Sequence, residues 1–371
     1  MRFCRSVAAW IGLSPRAILT WIRGRRWMYG WIFKNTSTSL GANIKYHGLI
    51  NLGATCYLNS VLQVLFLTKD FRDAVRRFSS KNPHTEFIDH HLQDLFDDLQ
   101  KHTADTHKIT EKLGIIRVNE QRDAPEYVER ILRMSSPETS QVFHGALANQ
   151  ITCSNGHTET DRLAPFWHLP LPLVDFCNKD YSVVDGIEEF FRPTDLNGEN
   201  QMYCDRCGHK VDATITDVII HHPDVLILLL KRFEFNYHHM KYIKINCSVD
   251  VPETLQIPKN MTYELYAVVD HFGDLRSGHY TATIKTQEKH EERWYQFNDT
   301  RVTLLDYQPL QVHKKSQSAY LLFYRKKKSK KQKMSSWLLC VFVILSVFIL
   351  CYFVLYYSCC KYLKRLRGVP H

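Results

Sequence analysis

The chain has 371 residues, 44 % of them hydrophobic, enough to bury its own core, and eleven cysteines in no disulfide-like framework, which excludes a small secreted scaffold. Its net charge of +10 comes from the ends: residues 1–44 carry seven Arg or Lys and residues 325–371 carry eleven, with no acid in either. Residues 45–324 are therefore acidic, 30 basic side chains against 38 acidic, which excludes nucleic acid as a partner and suits a substrate with a basic tail, while the basic ends suit a membrane surface.

Residues 1–44 hold four of the seven tryptophans, Trp10, Trp21, Trp27 and Trp31. Val7 to Ile22 is too short, and with Arg16 too interrupted, for a transmembrane helix. Three readings stay open for this segment: an amphipathic helix in a membrane interface, a mitochondrial presequence, or a basic leader without fixed structure. Residues 34–45 are a polar linker. The stretch from Gly48 to Leu65 then opens as a tight loop and turns helical, with Leu58, Val61, Leu62, Leu65 and Phe66 at spacings of three and four, the period of one buried face. Thr55 is the expected N-cap. Cys56 thus lies at a helix N-terminus, where the dipole and free N–H groups favour an anion and make a thiol nucleophilic. Asn51 offers an amide to an oxyanion, and Gly48 and Gly53 let the backbone pass close to whatever the thiol attacks. Most free cysteines are small buried hydrophobes, so the far end of the chain decides.

Residues 70–135 read as mostly helical. Phe87, His91, Leu92, Leu95, Phe96 and Leu99 form one face with Asp94, Asp97 and Asp98 opposite, and Pro125 lies early in an Ala124–Met134 run, where proline is tolerated. From Gln141 to Phe235 the pattern changes to strands and turns. Leu169 to Leu173 is extended, Val183 to Phe191 a short helix, and Val225 to Leu230 a buried strand. Met261 to Val269 is another strand, followed by a glycine-bearing loop from Asp270 to Gly278 that suits a mobile gate; His271 on it is expected to be structural. Ser277–Ile284 and Trp294–Val302 read as strands, and a hairpin joining them sets His279 beside Asn298. His279 then takes the thiol proton while Asn298 holds the imidazole, a papain-like order, with Asp299 a second acceptor for the imidazole or a water. The bland alternative is an Asn-Asp turn.

Residues 325–336 form a polybasic linker. Trp337 to Tyr357 follows as 21 residues without a charge, long enough to cross roughly 30 Å of bilayer core. Residues 358–371 are a short basic tail with Cys359 and Cys360 available for S-acylation. Seven basic residues before the span against four after it set the preceding domain on the cytosolic side of a tail-anchored, single-pass protein, in the endoplasmic reticulum or the mitochondrial outer membrane.

The segments around Cys56 and His279, with the closing Ala319–Tyr324, resemble the Cys and His boxes of ubiquitin-specific proteases, and Gln121–Val128 resembles that family's QQDAQEF segment. The resemblance runs from about Tyr46 to Tyr324, with the motifs in the family order. It implies an α+β, papain-like cysteine protease fold of the ubiquitin-specific protease type, with a helical thumb and a β palm and fingers, as one catalytic domain over 45–324. It implies a thiol deubiquitinase that needs no cofactor for catalysis and acts on ubiquitin or ubiquitin-like protein conjugates at the C-terminal glycine. In the family the position of Asp123 contacts the basic tail of ubiquitin, and Gln121 matches the leading glutamine; the alternative for Asp123 is a helix N-cap. The family also carries a zinc ribbon of two Cys-x-x-Cys knuckles. Here the second is intact as Cys204 and Cys207, while the first reads Cys153-Ser-Asn-Gly-His157, as though its second cysteine had been deleted. Cys153, Cys204, Cys207 and a displaced His157 are thus a candidate structural zinc set, although many members have lost this metal. Two other readings stay open: a deconjugase for the interferon-induced ubiquitin-like modifier, and a ubiquitin-binding scaffold without catalysis. Three filled catalytic positions argue against the scaffold.

Overall fold

The computed structural model describes residues 45–161, 163–173, 181–238, 240–258, 261–275, 277–288, 291–305 and 315–327. The expectations for residues 1–44, for the span 337–357 and for the tail lie outside the described residues. Among the described residues, no helix is long and apolar enough to cross a membrane.

The chain opens with helices α1 (Cys56–Leu67), α2 (Lys69–Lys81), α3 (Asp89–Leu99), α4 (His107–Lys112), α5 (Ala124–Met134) and the short α6 (Pro137–Ser140). Their ends obey local chemistry: Pro125 stands in the first turn of α5, and the Ser136 hydroxyl accepts the Thr139 N–H at the start of α6. The buried Asp89 carboxylate fastens α3 to α6, accepting from the Ser136 N–H at 2.8 Å, the Ser136 hydroxyl at 2.9 Å and the Thr139 hydroxyl. On α3, Leu92, Leu95, Phe96 and Leu99 are buried as the periodicity predicts, whereas Phe87 precedes the helix and is partly exposed.

Strands take over next: β1 (Gly145–Cys153), β2 (Thr158–Thr160), β3 (Ala164–Phe166), β4 (Leu169–Pro172) and β5 (Tyr181–Ser182), then helix α7 (Val183–Phe190). β6 (Thr194–Leu196), β7 (Met202–Cys204), β8 (His209–Val211) and β9 (Ala213–His221) follow. β1, β2, β3, β6 and β9 pair into one antiparallel sheet, with the β7–β8 hairpin close by: the expected fingers. The palm is an eight-stranded sheet of β4, β10 (Val225–Lys231), β14 (Thr254–Ile257), β15 (Met261–Phe272), β16 (His279–Glu288), β17 (Glu291–Asn298), β18 (Arg301–Leu305) and β19 (Ala319–Lys326). Between them run a separate hairpin, β11 (Phe233–Asn236) with β12 (Lys241–Lys244), and the two-residue β13 (Val249–Asp250), which pairs with β5.

β19 lies between β15 and β10, and Ala319–Tyr324 are all buried, which explains its unbroken apolar sequence. Its side chains divide between two cores, with strict alternation broken at Tyr320–Leu321, where the pairing with β15 is irregular. Tyr320, Leu321 and Phe323 join the helices, and Ala319, Leu322 and Tyr324 join the opposite face. Arg232, fully buried at the end of β10, donates to four carbonyls, those of Ala319 (2.6 Å), Ile245 (3.0 Å), Cys247 (2.9 Å) and Ser316 (3.0 Å), and so fixes where β19 begins.

Two expectations need correction. The helix α1 is buried all round from Cys56 to Phe66, not along one face, because it runs between β15, β16 and β17 on one side and α2 and α5 on the other. Its polar residues are matched locally, Ser60 to the Tyr57 carbonyl and Gln63 to the His47 carbonyl, both at 3.0 Å. The loop before His279 is also shorter than expected: β15 continues through His271 and Phe272, leaving Gly273–Gly278 as the connection. His271 therefore lies on a strand, in register with Tyr280.

Candidate active site

Residues 48–55 approach α1 as a loop tied at several points. Its backbone pairs with Ala104, and the Leu49 N–H donates to the Asp299 carbonyl at 2.9 Å. The Asn51 side-chain oxygen accepts the Gly53 and Thr55 N–H groups, each at 3.0 Å, and curls the chain toward Cys56. Thr55 holds the N-cap position but does not cap: its hydroxyl accepts the Leu52 N–H at 3.0 Å. Cys56 begins α1 as expected, at the positive end of the helix dipole.

The strands bring up the other half. The Tyr280 N–H points at Cys56 Sγ at 3.5 Å, and Gln121 Nε2 lies 3.9 Å from the same sulfur. His279 precedes Tyr280 at the start of β16, and its Nε2 lies 2.8 Å from Asn298 Oδ1 at the end of β17. With Nε2 on Asn298, Nδ1 is the nitrogen that serves the thiol. The hydrogen bond to Cys56 raises the His279 pKa most, Asn298 and the Asp299 charge add to it, and against burial the imidazole is pushed up to about 9. The expected constellation of nucleophile, base and orienting amide is therefore assembled.

Asp299 has a different place from the one expected. It sits at φ 51° in the turn after β17, with its carboxylate on two amides rather than on the imidazole. Oδ2 accepts from Asn51 at 3.0 Å and Oδ1 from Asn59 at 2.8 Å. Asn51 thus has one amide hydrogen on Asp299 and the other available for an oxyanion. Asn59, which sequence reasoning missed, had a signal: an amide inside an otherwise apolar helical run, one turn after the cysteine, needs a buried partner.

Asp123 occupies the N-cap position of α5, but its side chain does not cap. Its carboxylate receives the Tyr280 hydroxyl at 3.1 Å and the Tyr320 hydroxyl at 2.9 Å to each oxygen. Burial raises its pKa, and the two phenols oppose that rise. Neither tyrosine was singled out from the sequence, although a buried tyrosine hydroxyl ordinarily seeks a partner. His271 is wholly buried against Phe233, Tyr280 and Tyr320, and burial pushes its imidazole down to about 3, so it stays neutral. Lys244 on β12 donates to the His271 carbonyl at 2.6 Å and ties the β11–β12 hairpin to this end of the palm.

A second cluster lies in the fingers. Cys153, His157, Cys204 and Cys207 place their ligand atoms within 4.8 Å of one another. His157 Nδ1 is 3.6 Å from Cys204 Sγ and 3.3 Å from Cys207 Sγ, and the sulfurs of Cys153 and Cys207 are 4.0 Å apart. Zn–S and Zn–N bonds of about 2.3 and 2.0 Å in a tetrahedron require ligand separations of roughly 3.5–3.8 Å. The separations of 3.3, 3.6 and 4.0 Å bracket that range, and three thiols with one imidazole are a donor set suited to a zinc ion.

The sequence profile of the family described as ubiquitin carboxyl-terminal hydrolase matches residues 47–324. Among similar curated proteins, ubiquitin carboxyl-terminal hydrolase 15 of Saccharomyces cerevisiae is 32 % identical over 291 residues, which cover 69 % of this chain and 23 % of that protein. Ubiquitin carboxyl-terminal hydrolase 47 of Xenopus tropicalis is 27 % identical over 379 residues, covering 76 % of this chain and 28 % of the relative. The chain thus spans about a quarter of the length of such relatives. In fold it is similar to a chain in the solved structure of the SAGA Ubp8/Sgf11/Sus1/Sgf73 DUB module bound to ubiquitin aldehyde, with a TM-score of 0.62 and 24 % identity, covering 80 % of this chain and 74 % of that one.

Proposed function

Because this chain belongs to the ubiquitin carboxyl-terminal hydrolase family, matched from residue 47 to 324, we propose that it is a thiol-dependent deubiquitinase that hydrolyses isopeptide bonds at the C-terminal glycine of ubiquitin. One observation carries the reading: Cys56, His279 and Asn298, from distant parts of the sequence, meet, with the Tyr280 N–H next to His279 at 3.5 Å from Cys56 Sγ and the imidazole at 2.8 Å from the Asn298 amide oxygen. In this mechanism His279 takes the Cys56 proton, and the thiolate attacks the carbonyl carbon of the terminal glycine. The charge on the carbonyl oxygen falls to Asn51 and the N–H groups that open α1. The imidazolium then protonates the leaving lysine amine, and water, deprotonated by His279, releases the acyl group. Gln121 and Asp123 take the substrate tail, and no cofactor enters the chemistry.

The test is labelling of the chain by electrophilic probes built on ubiquitin and on the interferon-induced ubiquitin-like modifier, beside Cys56→Ala. Labelling by ubiquitin that the mutant loses supports the reading. Labelling by the other probe alone changes the substrate, and a folded protein that binds ubiquitin but reacts with neither probe is a scaffold.

The Cys153, His157, Cys204 and Cys207 set is proposed to hold a structural zinc, tested by metal content of one zinc per purified chain. We further propose a membrane span at 337–357 with the catalytic domain in the cytosol, supported by 21 uncharged residues between two basic clusters. Release of the protein from membranes by alkaline carbonate would sink that placement.

A further inference from the structure

The Asp123 carboxylate is an anion held without a cation. Three elements converge on it: its own backbone at the start of α5, Tyr280 on β16 and Tyr320 on β19, two strands separated in the sheet by β15. Both rings are buried, 1 % and 2 % exposed, with centroids 6.2 Å apart, so neither hydroxyl is free to swing away. Among the described residues no lysine or arginine pairs with Asp123, and the nearby charge that acts on it, Glu126, has the same sign. The two hydroxyls and the Ala124 N–H keep the carboxylate in position and favour its charged form against burial, which raises its pKa overall, and no counter-charge among the described residues compensates it. A bound group of opposite charge would complete it.

The same tyrosine reaches the reacting atoms from its other end. The Tyr280 N–H lies on Cys56 Sγ at 3.5 Å while its hydroxyl lies on Asp123. Tyr320 makes its hydrogen bonds at the carboxylate end of this chain of contacts, to both oxygens, and has none to Cys56 among the described residues.

We propose that Tyr320 is a positioning residue, which aims the Asp123 carboxylate at the basic tail of the substrate, and that Tyr280 joins this tail-binding group to the thiol. The inference rests on the deubiquitinase reading. It assigns Tyr320 to substrate capture and not to the chemical step.

The experiment is steady-state hydrolysis of a fluorogenic C-terminal amide of ubiquitin by the full chain and its Tyr320→Phe, Asp123→Asn and double variants, across pH. Tyr320→Phe is expected to raise KM about ten-fold, the ordinary cost of a hydrogen bond to a charged group, with kcat within about two-fold. Its acid limb in kcat/KM moves to higher pH, because a donor that stabilised the carboxylate is gone. In the Asp123→Asn background the Tyr320 change has no further effect, since it acts through the carboxylate. Alkylation of Cys56 by a small chloroacetamide proceeds at the wild-type rate, and thermal melting confirms that each variant is folded. A fall in kcat at unchanged KM, slower alkylation, or a full Tyr320 effect without Asp123 overturns the proposal. An inactive but folded wild-type chain would instead sink the deubiquitinase reading.

Discussion

At the level of single residues, the meeting of Cys56 and His279 was legible because the chemistry proposed for them needs particular residue types at recognisable positions, a cysteine opening a helix and a histidine opening a strand. The supporting contacts were not, because they form across the chain. Asp299 was expected to face the imidazole, yet it holds Asn51 and Asn59, 248 and 240 residues away in sequence. Replacing it by Ala strands two amides, one of them buried; a stability loss of about 1–3 kcal/mol in denaturant titration and a lower kcat are expected. His279 allows a prediction in pH. Its pKa rises from 6.5 to about 9 on folding, first through Cys56, so its stabilisation is complete below about pH 6.5 and is lost as pH rises through 9. Above pH 9 the proton for the leaving amine is also lost, and kcat/KM should fall. Asn298→Ala removes one of the groups that raise this pKa, so the alkaline limb is expected to move to lower pH in a pH–rate profile.

At the level of elements, α5, β10 and the pairing of β16 with β17 follow the periodicity and apolar runs, but the strand expected over 294–302 breaks at Asn298, where the turn at Asp299 leads into β18. What failed was the exposure of α1: a heptad-like stripe predicts one buried face, but a helix between a sheet and two helices has no solvent side, and its few polar residues find partners nearby. The loop that leads into α1 is fixed with the same tightness. A Cβ at Gly48 would overlap the Asp299 carbonyl oxygen and stand 2.5 Å from the Thr300 carbonyl carbon, both backbone atoms that cannot step aside. Gly48→Ala should therefore cost about 1–3 kcal/mol in thermal or chemical unfolding and pull the loop off the turn after β17. Activity should fall by more than stability, and an active, fully stable Gly48→Ala variant would show that the two segments need not touch.

At the level of the whole molecule, the α+β architecture was legible from the change of pattern near residue 141, helical before and stranded after. The metal cluster was legible only as a set of candidate residues, because the one-residue difference between Cys153 and His157 leaves ligand geometry open until the fingers are folded. With the turn closed, Gly156 at φ 80° brings His157 round to Cys204 and Cys207. Chelation of zinc, or His157→Ala, is expected to lower the melting temperature and to release one metal per chain in a colorimetric assay. The contact between Leu49 and Asp299 has another consequence, for the life of the polypeptide before it is finished. The nucleophile leaves the ribosome more than 200 residues ahead of its base, and its helix acquires the β16–β17 wall only after both strands exist. Until then Cys56 is a thiol without His279 beside it, so on the proposed reading a nascent or truncated chain has no hydrolase activity, and only a completed domain gains it.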